Sequence, residues 1–126
     1  MQGRGFAIAG RGDNAYQLLD IEDLCAAIYA CIAGQRDTVN ETFNLGATAY
    51  GTIRADIQAV LDHAGHGQKV TNRPFAASPV AGDAITKESV LDTDYISRTL
   101  DFAPQYSNAQ TLIRNYNWYI ANMHRF

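Results

Sequence analysis

Between Tyr16 and Leu24 the chain reads Tyr16-Gln17-Leu18-Leu19-Asp20-Ile21-Glu22-Asp23-Leu24, and no other stretch restricts the fold as much. A strand-like apolar run gives way within a few residues to a carboxylate-rich helix start. Asp20 stands where an N-cap is wanted, and Glu22 and Asp23 occupy the first turn, where the positive end of the helix dipole favours anions. The apolar residues that follow, Leu24, Ile28, Cys31 and Ile32, recur at helical spacing. Carboxylates this close together also suggest a metal site or an acid/base pair. Capping accounts for all three, so they are assigned to the helix. Gly34 supplies its C-cap.

Upstream, Phe6 to Ala9 is a short strand candidate closed by turn material at Gly10 to Asn14. Tyr16 to Leu19 is a second candidate, and the two together predict a hairpin with a loop longer than the tightest type. The glycines do not make a dinucleotide fingerprint. That needs Gly-x-Gly-x-x-Gly opening directly into a helix, and here another strand candidate follows.

Downstream, Glu41 to Gly46 reads as a compact strand. Thr52 caps a helix whose apolar face is Ile53, Ile57, Val60, Leu61 and Ala64, ended by Gly65. His63 and His66 lie at that end without further Cys, His or carboxylate at ligand spacing, so they are read as exposed helix-end residues and not as zinc ligands. Lys69 to Asn72 is a short strand stopped by Arg73-Pro74. Phe75 to Leu91 has weak periodicity and suggests short helical pieces and loops. From Asp92 a short helix runs through Tyr95, Ile96 and Leu100 and stops before Pro104. In the last helix Ser107 and Gln110 form a capping box. Ala109, Leu112, Ile113, Tyr116, Ile120 and Met123 share one face, widened by Trp118 and Tyr119, which should dock firmly or cover a partner.

A length of 126 residues with 47% hydrophobic and 18% charged residues fits one globular domain, and no repeat or linker divides it. At this size about two thirds of the unfolded chain's surface can be buried, enough for one modest core. The net charge of -3 and scattered basic residues argue against nucleic acid as a partner. Arg4 and Arg11, around the first turn, could meet a single phosphate group. No apolar run approaches the roughly 20 residues needed to cross a bilayer, and the N-terminus lacks the layout of a secretory signal. The chain is read as cytoplasmic and not membrane-bound. Cys25 and Cys31 lie on different sides of one helix, so they cannot pair there and are taken as small buried hydrophobes in a reducing compartment.

The order of elements resembles the C-terminal portion of the extended short-chain dehydrogenase/reductase family, which includes nucleotide-sugar epimerases and dehydratases. Four places carry the likeness: Gly12-Asp13-Asn14 leading into Tyr16 to Leu24; Phe43-Asn44-Leu45-Gly46; Asp92 through Leu100-Asp101-Phe102-Ala103-Pro104; and Trp118-Tyr119. Ile85 to Val90 looks like a segment of the family's reductase-like branches. The resemblance implies an α/β fold of short mixed strands with amphipathic helices, the substrate-binding part of an NAD(P)-binding Rossmann-type enzyme. It implies that residues 1–126 are a single C-terminal substrate-binding domain whose N-terminal cofactor domain is absent. NAD or NADP would belong to the parent enzyme, with none bound by this chain alone. The substrate would be a small molecule, a nucleotide-sugar or a related hydroxyl or carbonyl compound, and Arg11, Tyr16, Gln17 and Arg73 are the residues assigned to it. Homo-oligomerisation is compatible with this reading.

The chain departs from the family pattern at three places. Asp101 stands where the family usually has a glycine, at a position that often wants a left-handed backbone, which Asp tolerates better than most residues. Ala15-Tyr16 stands where an arginine commonly contacts a substrate phosphate. The catalytic Tyr-x-x-x-Lys is missing: Lys69 and Lys87 follow Gly65 and Asp83 at that spacing, and Tyr50 is followed by Arg54, which does not titrate usefully. No residue of this chain is therefore assigned a catalytic role. The alternative is a stand-alone α/β module whose second and last helices bind a partner protein. A lobe detached from its sheet domain should expose apolar surface and tend to self-associate.

Overall fold

The computed structural model describes residues 6–33, 40–73 and 88–125. Strand β1 (Ala7–Ala9) pairs in parallel with β2 (Thr71–Arg73), in the register Ala7 to Thr71, Ile8 to Asn72 and Ala9 to Arg73. A parallel pair needs a long crossover. Helices α1 (Ile21–Ala33) and α2 (Ile53–His63) lie within it, and α3 (Asp94–Leu100) and α4 (Asn108–Asn122) follow. The α/β class with short strands agrees with the sequence. Gly34, the segment 75–87 and Arg4 fall outside the described residues, so the readings made of them are not compared.

The expected hairpin does not form. β1 takes β2 as its partner, while Tyr16 bridges Ser89 in parallel and Ala15 bridges Thr52 in antiparallel fashion. The physical reason lies in the glycine loop. Gly10 and Gly12 have φ of 74° and 73°, a left-handed backbone open to glycine, and they swing the chain over the start of α2. The first N–H groups of a helix lack intrahelical acceptors. Here Arg54 N–H donates to the Gly12 carbonyl at 3.1 Å and Ile53 N–H to that of Asn14 at 3.4 Å. The loop is thus used on α2 and cannot close a hairpin. A side chain at position 12 would collide with Ile8 Cδ1 as well as strain the backbone.

Glu41 to Gly46 keeps the alternation of a strand, with Phe43 and Leu45 half-buried and Glu41, Thr42 and Asn44 exposed, yet it has no ladder partner among the described residues. Phe43, Leu45 and Leu100 pack against the buried cluster of Ala27, Ile96 and Phe102. The left-handed turn that delivers Phe102 to this cluster is made by Asp101, at φ 50° and ψ 36°, as its place in the sequence suggested.

Helix α1 begins as expected, with Glu22 N–H donating to Asp20 Oδ1 at 3.0 Å. Its rotation differs from the amphipathic reading. Asp23 and Ala27 face inward, whereas Ile28 and Ile32 are 51% and 74% exposed. Cys25 is exposed and Cys31 half-buried, so neither is the buried hydrophobe expected. Polar anchoring sets this rotation. Gln105 and Tyr106 N–H donate to the two oxygens of Asp23 at 2.8 and 3.1 Å, which turns that edge of the helix into the protein. The caps of α2 and α4 are as read: Thr52 Oγ1 accepts from Ala55 N–H, and Ser107 and Gln110 complete their box.

Ile96→Ala should cost about 2–5 kcal/mol, because it opens a cavity in the cluster. Ile32→Glu should change stability by less than about 0.5 kcal/mol, since that side chain meets solvent. Urea unfolding of both variants, with the slope held common, measures the contrast.

Candidate functional site

Parallel strands that end together create a rim where loops can collect ligand, outside the strands' carboxyl ends. The pairing of Ala9 with Arg73 puts the ends of β1 and β2 side by side. Arg11 stands two residues past the end of β1, and Arg73 is the last residue of β2. Two of the four residues assigned to substrate therefore leave the sheet at one edge. The Arg11 side chain is 86% exposed and pairs with Asp13, itself 61% exposed, at 3.1 Å. An ion pair in that much water is worth about 0–1 kcal/mol, so an incoming anion could displace Asp13 at little cost.

The rim is stiffened from beneath by Arg54. Its Nε donates to the Arg11 carbonyl at 3.1 Å, Nη1 to the Val70 carbonyl at 3.2 Å, and Nη2 to Asn72 Oδ1. One guanidinium therefore ties the loop after β1 to β2. It is engaged structurally.

Tyr16 and Gln17 take a different set of partners. Tyr16 is half-buried, and burial pushes its hydroxyl up to about 12, helped by the charge of Asp56 and a hydrogen bond to that carboxylate. Gln17 Nε2 donates to the Ala47 carbonyl at 3.0 Å, and its Oε1 accepts from Leu91 N–H. Both side chains have their polar ends occupied within the chain.

Behind them sits Asn108, completely buried at the start of α4. Its Oδ1 accepts from Leu18 N–H at 2.8 Å, and its Nδ2 donates to the Tyr16 carbonyl at 2.8 Å and to Asp56 Oδ2 at 3.2 Å. The amide thus plays the part of a neighbouring strand for Tyr16 to Leu18. Sequence reasoning passed over it, since an Asn after a capping Ser carries no local mark of a tertiary role. A second network holds α1 to α4. Arg114 Nε meets buried Asp20 at 3.1 Å, its Nη2 meets Glu22, and its guanidinium lies 4.2 Å from the ring centre of Tyr106. The Tyr106 hydroxyl, and then Arg114, hold the Glu22 carboxyl below its usual range.

His63 Nε2 lies 2.8 Å from Asn117 Oδ1 and edges the Tyr116 ring. Among the described residues no three His, Cys, Asp or Glu side chains gather as metal ligands. In the glycine loop the carbonyls of Gly12 and Asn14 face the start of α2, and the space beside Gly12 is filled by Ile8 and Arg54.

No protein-family model matches the chain. Uncharacterized protein y4nG of Sinorhizobium fredii is 30% identical across 96% of this chain, which spans 34% of that relative. An epimerase from Methanothermobacter thermautotrophicus superposes with a TM-score of 0.76 at 23% identity, over 97% of this chain and 34% of its own. The dTDP-glucose 4,6-dehydratase of Bacillus anthracis, in complex with NAD, gives 0.75 at 19% identity, over 98% and 37%. The UDP-glucose 4-epimerase of Thermotoga maritima, with UDP-glucose, gives 0.74 at 19% identity, over 97% and 37%. The chain has the fold of the C-terminal portion of NAD-dependent epimerases and dehydratases and spans about a third of their length. No helix among the described residues is long and apolar enough to cross a membrane.

Replacing Asn108 by Ala leaves Leu18 N–H, the Tyr16 carbonyl and Asp56 short of a partner, at a cost of about 2–4 kcal/mol in unfolding free energy. Tyr16 gives a pH signature. An unfolded tyrosine loses its proton near 10 and this one near 12, so the unfolded state deprotonates first and stability falls as pH rises through that window. Tyr16→Phe should flatten the fall, read as the difference between two thermal-melt profiles over alkaline pH.

Proposed function

We propose that this chain is the substrate-binding part of an NAD(P)-dependent epimerase, dehydratase or reductase acting on a nucleotide-sugar or a related hydroxyl or carbonyl compound. The observation that carries the proposal is the strand register, which brings Arg11 and the backbone of Arg73 to one rim at the carboxyl ends of a parallel pair. A diphosphate presents paired oxygens that guanidinium groups meet through charge-assisted hydrogen bonds. Tyr16 and Gln17, fixed by Asp56, Ala47 and Leu91, give the wall that orients the rest of the substrate. Structural neighbours whose reported complexes contain NAD or UDP-glucose support the class.

On this reading hydride passes between nicotinamide and a substrate carbon with residues outside this chain, which would also supply the Tyr-x-x-x-Lys and the phosphate-cradling glycines. The chain's own share is binding and selection. A cytoplasmic setting and a small-molecule substrate follow from the same reading. The alternative, a stand-alone interaction module that binds through its second and last helices, draws support from the exposed Trp118, Tyr119 and Ile120 of α4.

Titration of the chain with UDP, followed by calorimetry, tests the substrate reading. Binding is expected, with Arg11→Ala and Arg73→Ala each weakening it about tenfold, the equivalent of 1.4 kcal/mol. Absence of binding at millimolar UDP, or affinity indifferent to both arginines, would count against it.

A further inference from the structure

Beside Tyr16 runs a short segment whose inner edge is hydrogen-bonded and whose outer edge is open. Ser89 N–H donates to the Ala15 carbonyl at 3.0 Å, Gln17 N–H donates to the Ser89 carbonyl at 3.1 Å, and Gln17 Oε1 accepts from Leu91 N–H. The Ser89 groups and the Leu91 N–H thus turn toward Tyr16. Along a strand, successive residues direct their main-chain groups to opposite edges, so those of Glu88 and Val90 point away. Among the described residues these outward groups have no hydrogen-bond partner.

The side chains of this edge are equally bare. Glu88, Ser89, Val90, Leu91 and Asp92 are all exposed, Val90 at 39% and Leu91 at 48%. An open edge that carries apolar side chains is a template for another strand. No proline interrupts Glu88 to Asp92, and Gln17, itself tied to the Ala47 carbonyl, pins the segment from within. At its far end Asn44 Nδ2 donates to the Asp92 carbonyl at 3.2 Å. The edge is preformed, which lowers the entropic cost of adding a strand to it.

We propose that Glu88 to Asp92 is a docking edge for an extended, basic segment of a partner protein, which adds to it as a strand. In such contacts main-chain bonds give affinity and alternate side chains give selectivity. Charge selects the occupant. Side chains alternate along a strand, so Glu88, Val90 and Asp92 share one face in the order carboxylate, apolar, carboxylate. Among the described residues neither carboxylate is paired with a cation, and Asp94 adds a third exposed one just beyond. The complement is a strand that reads cation, apolar, cation at alternate positions. The same pattern disfavours a second copy of this chain. Antiparallel self-pairing centred on Val90 sets Glu88 of each copy against Asp92 of the other, and like charges directly opposite are destabilising.

Fluorescence anisotropy of a labelled, blocked pentapeptide, lysine-threonine-valine-isoleucine-lysine, titrated with the full chain, tests the proposal. Saturable binding is expected, and exchanging both lysines of the peptide for glutamate should weaken it at least about tenfold. Two variants of the chain read the two halves of the contact. Val90→Pro removes the outward N–H and leaves the inward bonds of Ser89 and Leu91, so it should weaken binding at least about fivefold, the worth of one ladder hydrogen bond. Glu88→Lys, at an exposed position, should weaken the lysine peptide about tenfold and strengthen the glutamate peptide, with thermal melting unchanged. That reversal of preference does not arise from a damaged fold, so it decides the matter even where the proline variant unfolds. Absence of binding at millimolar peptide, equal affinity for the two peptides, or binding to a folded variant that is indifferent to either substitution overturns the proposal. A dimer of the chain on gel filtration that Val90→Pro dissolves also overturns it, by assigning the edge to a second copy.

Discussion

The side-chain amide of Asn108 holds the architecture together. It is entirely buried, and it satisfies a backbone donor and a backbone acceptor of the Tyr16–Leu18 segment while touching a buried carboxylate. An extended segment in a protein interior must find partners for its main chain. Here one side chain at the head of a helix provides them where a strand would ordinarily do so. The course of the segment follows from this, since Tyr16 and Gln17 take their positions from it and α1 starts where it ends. The capping box of Ser107 and Gln110 fixes the first turn of α4 and thereby the place of the amide.

Buried carboxylates continue the same logic. Asp20, Asp23 and Asp56 are each at most 5% exposed, and each receives hydrogen bonds from another part of the chain. Removing ions from water is costly unless they are paired and hydrogen-bonded, so such groups act as locators more than as sources of stability. Asp23 shows the effect most plainly. It dictates which edge of α1 turns inward, against the preference of Ile28 and Ile32 for burial.

This explains what could be read in the sequence. Helices and caps were legible because their signals are local: Thr52 before Ile53, Ser107 with Gln110, and Asp20 before Ile21 declare themselves within four residues. The left-handed Asp101 was legible for the same reason. Partnerships were not. Tyr16 to Leu19 looks like a strand and does lie extended, but its partners come from Asn108, Ser89 and Leu18's bond to Ala47, which no spacing rule reveals. Of the site, the position of Arg11 beyond a strand end could be inferred. Its neighbourhood with β2 could not, because parallel pairing is set by the intervening helices and not by a turn.

The reach of the Asn108 contacts has a consequence for how the protein comes into being. Its bonds to Leu18 and Tyr16 join residues separated by 90 and 92 positions. Contacts of such separation form late, since loop closure has to precede them. On the ribosome the Tyr16–Leu18 segment emerges long before the amide that will receive it. Until α4 is synthesised, that apolar stretch is available to chaperones or to neighbouring nascent chains. The order of synthesis thus makes the start of the described chain the last part to settle.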